Sequence, residues 1–169
     1  MYREYSFCAH TLNFGSIFRS VVNPFTGASV NMPIDRGMTD EEAKAVREVF
    51  KNNGIEGPEP ELEGYATYGD NGSSLRFRCQ KFDTINSIIG LSMELVTPEL
   101  TDQYLSIILK VARSGNLALT SSTGEDVCVI DTQPNAVQLK RWPDAITIRS
   151  VVELRDWLEN TIGYREVRI

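Results

Sequence analysis

Cys8 and His10, two residues apart in "SFCAHT", are the pair whose types and spacing come nearest to a nucleophilic centre. On a strand, positions two apart project from the same face, so a thiol and an imidazole would stand side by side. An imidazole that takes the thiol proton leaves a thiolate, and the chemistry would be that of a hydrolase or transferase. Such a site also needs a group that orients the imidazole and donors for a developing oxyanion. The residues around the pair supply neither an elbow nor an oxyanion loop, so the sequence assigns no catalytic residue. Cys8 reads as a packed thiol and His10 as an edge or surface side chain.

Other chemistries have weaker footholds. Among 23 Asp and Glu residues, Glu125 and Asp126 fall in a hairpin turn and Asp131 follows a strand end, each without a second placed partner. The glycines of "GDNGSS" and "SSTGED" lie between two strands, with neither the lysine of a P-loop nor the spacing of a dinucleotide fingerprint. Arg76, Arg78 and Lys81 surround Phe77, and Lys140 and Arg141 precede Trp142, which suggests phosphate contact and base stacking. Strand alternation sends Phe77 to the face opposite Arg76 and Arg78, and the net charge is −6, so no nucleic-acid partner is expected. "LKRWPD" reads instead as a half-buried Trp142 anchor beside a proline turn. Cys8, Cys79 and Cys128 are widely spaced and His10 is the single histidine, too few ligands for a structural zinc site. They read as reduced thiols, and no metal or cofactor is expected.

The elements that would position these residues are legible from punctuation and periodicity. "SIFRSVV" and "ASVNMP" flank "NPFTG" as a hairpin. Thr39 with Glu42 forms a capping box for a helix whose Ala43, Val46 and Phe50 make an inward stripe, which Gly54 ends. "GIEGPEPELEG" reads as a loop, and "YATY" and "SLRFRC" form a second hairpin around Asn71-Gly72, with Leu75, Phe77 and Cys79 on the buried side. "GLSMELV" is a strand, and a helix capped by Thr97 with Pro98 in its first position carries Leu100, Tyr104, Ile107, Ile108 and Val111 up to Gly115. "NLALTS" and "DVCVID" pair across "STGE", "AITI" is a short strand, and Ser150 with Glu153 caps a last helix containing Leu154, Trp157 and Leu158. Gly163 ends that helix and "YREVRI" is a final strand.

The fold class is therefore α+β, with antiparallel hairpins and three main helices, in a single domain of residues 1–169. A subdivision would separate a β-rich half, residues 1–85, from residues 90–169. The second half has the β-α-β-β-α-β order of a ferredoxin-like split unit, and the alternative is one sheet shared with the N-terminal half. At 169 residues, 41% hydrophobic and 24% charged, the chain has the composition of a globular protein. It shows neither a signal-peptide pattern nor an apolar run approaching the roughly 18 residues of a membrane span, so a cytoplasmic location without a membrane partner is expected.

Charge is distributed unevenly. Between Asp35 and Glu63, nine acids face four bases, which leaves −5 of the total −6 on that segment. Part of this is a capped helix start, since Asp40, Glu41 and Glu42 sit at the positive end of a helix dipole. The remaining field would attract a basic protein such as a toxin or nuclease, in the manner of an acidic inhibitor or immunity protein. On that reading Asp35, Asp40, Glu41, Glu48, Glu56, Glu59, Glu61 and Glu63 are the partner-binding residues. "IDRG", residues 34–37, is required by no capping rule.

Overall fold

The computed structural model describes residues 1–15, 17–34, 36–55, 65–70, 72–81 and 88–169. In chain order the elements are β1 (Tyr2–Thr11), β2 (Ile17–Val22), β3 (Ser29–Ile34), α1 (Asp40–Asn52), β4 (Tyr65–Asp70), β5 (Ser73–Lys81), β6 (Ile88–Thr97) and α2 (Asp102–Ser114). They continue with β7 (Leu117–Thr120), β8 (Val127–Ile130), α3 (Ala136–Arg141), β9 (Ile146–Ile148), α4 (Val151–Trp157), one π-helical turn (Leu158–Ile162) and β10 (Arg165–Val167). The fold is α+β, as its hairpins and capped helices imply.

Eight strands form one sheet in the order β4-β5-β6-β1-β7-β8-β9, with β10 on β1, while β2 and β3 make a separate two-stranded arm. β1 is the middle of the sheet. β6 pairs along one of its edges from Arg3 to His10; on the other edge β7 takes Cys8 to Thr11 and β10 takes Tyr2 to Glu4. β6 and β7 both run antiparallel to β1, so they are parallel to each other with α2 crossing between them. This is the split βαβ unit that the strand order suggests, but its middle strand comes from the N-terminal half. Of the two arrangements, the shared sheet is the one adopted.

The reason lies in the alternation of β1. Tyr5, Phe7 and Ala9 are buried, and they join Leu75 and Phe77 of β5, Leu91, Met93 and Leu95 of β6 and Leu119 of β7 in one apolar cluster. α1, α2 and α4 close it with Val46, Phe50, Leu105, Ile108, Leu154 and Trp157, so three helices cover one face of the sheet. On the other face, among the described residues, the β7–β8 end is covered, where Ala118, Val127 and Val129 meet the partly buried Leu12, Trp142 and Ala145. That double cover explains why every residue of β7 and β8 is buried.

Local expectations hold at most element ends. The Thr39–Glu42 capping box is formed, and Ala43, Val46 and Phe50 are the buried residues of α1. Gly54 follows α1 at φ +62°, a left-handed conformation that glycine adopts without a Cβ clash. Leu75, Phe77 and Cys79 are buried while Arg76 and Arg78 are exposed. Asn71 and the loop 56–64 lie outside the described residues.

Two expectations are corrected. α2 begins after Thr101, not after Thr97. Thr97 is the buried last residue of β6, held opposite Arg3, and its hydroxyl donates to the Glu99 carbonyl at 2.7 Å instead of capping a helix. A fourth helix, α3, precedes Trp142, where the sequence suggests only a turn. Its capping box, in which Asn135 and Gln138 satisfy each other's backbone N–H, is present in the sequence as Asn-x-x-Gln.

Gly90 marks the tightest approach in the sheet. It lies opposite His10, beside the register shift at Gln80/Lys81, and a Cβ there would sit 2.2 Å from the Ala9 carbonyl oxygen. Backbone cannot swing aside as a side chain can, so Gly90→Ala should lower stability by roughly 2–3 kcal/mol, the range of overpacked sites, as read from the urea unfolding midpoint.

Candidate functional site

Three surfaces hold the residues with chemical potential: the open face of the sheet, the root of the β2–β3 arm, and the outer side of α1.

On the open face, cross-strand register sets Arg78, Ser92, Cys8 and Thr120 in one row and Arg76, Glu94 and Ser6 in the next. All of them but Thr120 line a shallow basin of about 250 Å³ together with Ser122. Arg76 is paired to Glu94 at 3.5 Å. Cys8 is half-buried and its thiol points to the Ser92 hydroxyl at 4.0 Å. His10 stands on the same face of β1, but its Nδ1 donates to the Thr11 carbonyl at 2.8 Å and its ring meets Trp142 edge-on, with centroids 5.7 Å apart. The two residues share a face as their spacing requires, yet neither of these contacts joins them as a dyad. Phe77 is fully buried on the helix side and cannot stack with a base beside Arg76 and Arg78.

At the arm root, Phe14 packs edge-on against Trp142 at 5.1 Å, and the Arg141 guanidinium lies 4.7 Å from the centre of the Phe14 ring. Trp142 is half-buried, the anchor expected of it. Asn13 ties the root together: its side-chain amide donates to the Gly37 carbonyl at 3.1 Å and to the Glu42 carboxylate at 2.9 Å, and its carbonyl accepts from the Arg36 N–H. The described part of "IDRG" therefore clamps the arm to the start of α1, a structural role. A groove of about 720 Å³ opens between Phe14, Gly15 and Phe18 on one side and Val137 and Lys140 of α3 on the other.

The arm itself projects with its side chains in solvent. Phe18 is 67% exposed and Phe25, at the tip, 95%; Val21, Val22, Val30 and Met32 are exposed as well. Sequence reasoning missed this surface. "IFRSVV" lacks the clean apolar–polar alternation of a half-buried strand, and that irregularity was the available signal.

Of the acidic residues read as partner-binding, Asp40, Glu41 and Glu48 are exposed on α1. Glu42 differs from them: its carboxylate accepts from the Thr39 N–H and from Asn13. Asp35, Glu56, Glu59, Glu61 and Glu63 lie outside the described residues. Elsewhere four acids pair with arginines, Glu4 with Arg165, Asp102 with Arg155, Glu159 with Arg3 and Asp131 with Arg113. Asp131 is thus an ion-pair partner, and the two hydrogen bonds from Arg113, at 2.5 and 3.1 Å, hold its carboxyl below the usual carboxylate range. Among the described residues no group of three or more His, Cys, Asp or Glu side chains is placed to hold a metal ion, and no helix is long and apolar enough to cross a membrane. Comparisons with family models, with curated proteins and with solved structures find no match for this chain.

Two outcomes follow from the geometry. Cys79 and Cys128 are buried, and burial pushes the Cys128 thiol up, so native alkylation at neutral pH should modify Cys8 alone, with the other two reacting only on unfolding, as mass spectrometry would show. Because the Asp131 carboxyl is depressed in the folded state, its pairing stabilises the fold above the unfolded value of about 3.9 and the contribution is lost as pH falls through the lowered folded value. Asp131→Asn should then be less stable than wild type at pH 7, by under about 1 kcal/mol for so exposed a pair, and the difference should close in thermal melts at strongly acidic pH.

Proposed function

We propose that this chain is a non-catalytic protein-binding module that docks a basic protein partner, in the manner of an acidic inhibitor or immunity-type protein. The observation that carries the reading is the set of outward-facing acids on α1: Asp40, Glu41 and Glu48 point into solvent with no ion pair to a described residue. A helix carrying unmatched acids within the −5 segment keeps its field available to a partner, and such a field speeds encounter with a cationic surface and weakens with salt.

The alternative is a hydrolase or transferase that uses Cys8 and His10. It is supported by the open basin beside Cys8 and by the two arginines lining it. It is weakened by the contact of the Cys8 thiol, which is with the Ser92 hydroxyl at 4.0 Å.

The test is retention of partners from native lysate by the tagged protein, at low and high salt, beside Glu41→Lys/Glu48→Lys. Both residues are exposed, so circular dichroism should show the fold intact. A basic protein that is retained by wild type, and whose association slows about tenfold or more on reversal or in high salt, is the expected outcome. Retention indifferent to both changes would remove the acidic surface from the function, and turnover that disappears in Cys8→Ser would establish the alternative.

A further inference from the structure

The β2–β3 arm is a feature that the acidic surface does not account for. An isolated two-stranded hairpin is marginal in water, and this one exposes six large apolar side chains. Among the described residues β2 pairs with β3 alone, which leaves its outer edge open. The outer edge of β3 is the less receptive of the two, because Pro33 has no N–H to offer a neighbouring strand.

We propose that the occupant of the β2 edge is the β2 edge of a second copy of this chain, so that two arms join across a two-fold axis into a four-stranded sheet β3-β2-β2-β3. A two-fold axis normal to the sheet makes the strands antiparallel and keeps each face on its own side, so the axis falls midway between one residue of β2 and its own copy. Two centres fall in the middle of the strand. Centring on Arg19 would set the two guanidinium groups directly opposite each other, a destabilising like-charge pair. Centring on Ser20 sets Arg19 against the second copy's Val21 and Phe18 against the second copy's Val22, and no like charges meet, since Arg19 is the only charged residue from 17 to 34.

The antiparallel register has a second consequence: it sets the tip of each arm, which carries the exposed Phe25, beside the root of the other, where the groove of Phe14, Gly15, Phe18 and Val137 opens. Knob and groove are thus spaced on one chain to serve one symmetric contact, and both are duplicated.

The area is of the right order. Phe18 and Phe25 are 67% and 95% exposed, and at about 150–250 Å² for each fully buried ring, the four rings of two copies supply on the order of 500–800 Å². Val21, Val22, Val30 and Met32 of both arms, with the strand backbones, carry the total toward the roughly 1,200 Å² at which specific interfaces begin. The contact is independent of the basic partner and is tested on the purified chain.

Light scattering after size exclusion should return twice the 19.0 kDa of one chain. Val22→Asp/Phe25→Asp, on an arm outside the main sheet, should keep the circular dichroism spectrum and raise the dimer dissociation constant about thirtyfold or more, as loss of a central apolar anchor does. Val152→Asp, equally exposed but on α4, should leave the dimer unchanged. In a Cys8→Ser background, Ser20→Cys should cross-link two chains on mild oxidation, because directly opposed strand residues lie about 4.5–5.5 Å apart between Cα atoms, within disulfide reach. Asn31→Cys, on β3, should not, because three strand spacings of about 4.8 Å would separate it from its counterpart. A monomer at every concentration, a dimer indifferent to the two aspartates, or a dimer that Ser20→Cys fails to cross-link would each overturn the proposal.

Discussion

The structure depends on the use of both edges of β1. A central strand needs partners for its N–H and C=O groups on both sides, and β1 is paired by three separate parts of the chain: β6 along one edge, and β10 and β7 at the two ends of the other. Once β1 is held in this way, its side-chain alternation fixes which face is dry. Tyr5, Phe7 and Ala9 go beneath the helices, and Ser6, Cys8 and His10 go to the open side. A one-residue slip would exchange the two sets, so the same register that builds the core also decides that the lone histidine and the half-buried thiol share a wet surface.

Electrostatics follow from that frame in two regimes. Where strands and helices bring arginines and carboxylates within reach, the charges are matched locally, as for Arg113 and Asp131 between α2 and the end of β8, or Arg165 and Glu4 between β10 and β1. On α1 the first-turn acids Asp40, Glu41 and Glu42 sit at the positive end of the dipole, and Glu48, further along, is exposed. The arm is different again, being almost without charge and mostly apolar. One small chain thus has a polar tiled face, a helix with exposed acids and a sticky projection.

Much of the fold was legible because its local signals agree with the tertiary structure. The capping box at Thr39, the helical stripe from Tyr104 to Val111 and the glycine stops at 54, 115 and 163 are short-range devices, and short-range devices survive in a sequence reading. What escaped was long-range or competitive. Nothing local announces that β1 enters between β6 and β7, since the pairing is written in complementary burial of strands some eighty residues apart. Thr97-Pro98 has the look of a helix start, yet the sheet claims Thr97 for its last rung and delays α2 to Thr101. At the site, the spacing of Cys8 and His10 gave their shared face correctly but could not show that the thiol meets Ser92 and that the imidazole bonds the Thr11 carbonyl. The exposed arm was read as a hairpin without notice of its bareness, because two apolar runs around a turn look the same whether or not a core receives them.

The position of β1 also sets a timetable during synthesis. Its residues emerge from the ribosome before any of its three partners, and β6, the nearest, begins only at Ile88. Until then a ten-residue strand with alternating apolar side chains has both edges unsatisfied, next to an arm that is itself adhesive. Long-range pairing of this kind is slow to form. The nascent chain is therefore most vulnerable to wrong association over its first half, and a chaperone that shields residues 2–34 until β6 is complete would matter more to its yield than any gain in final stability.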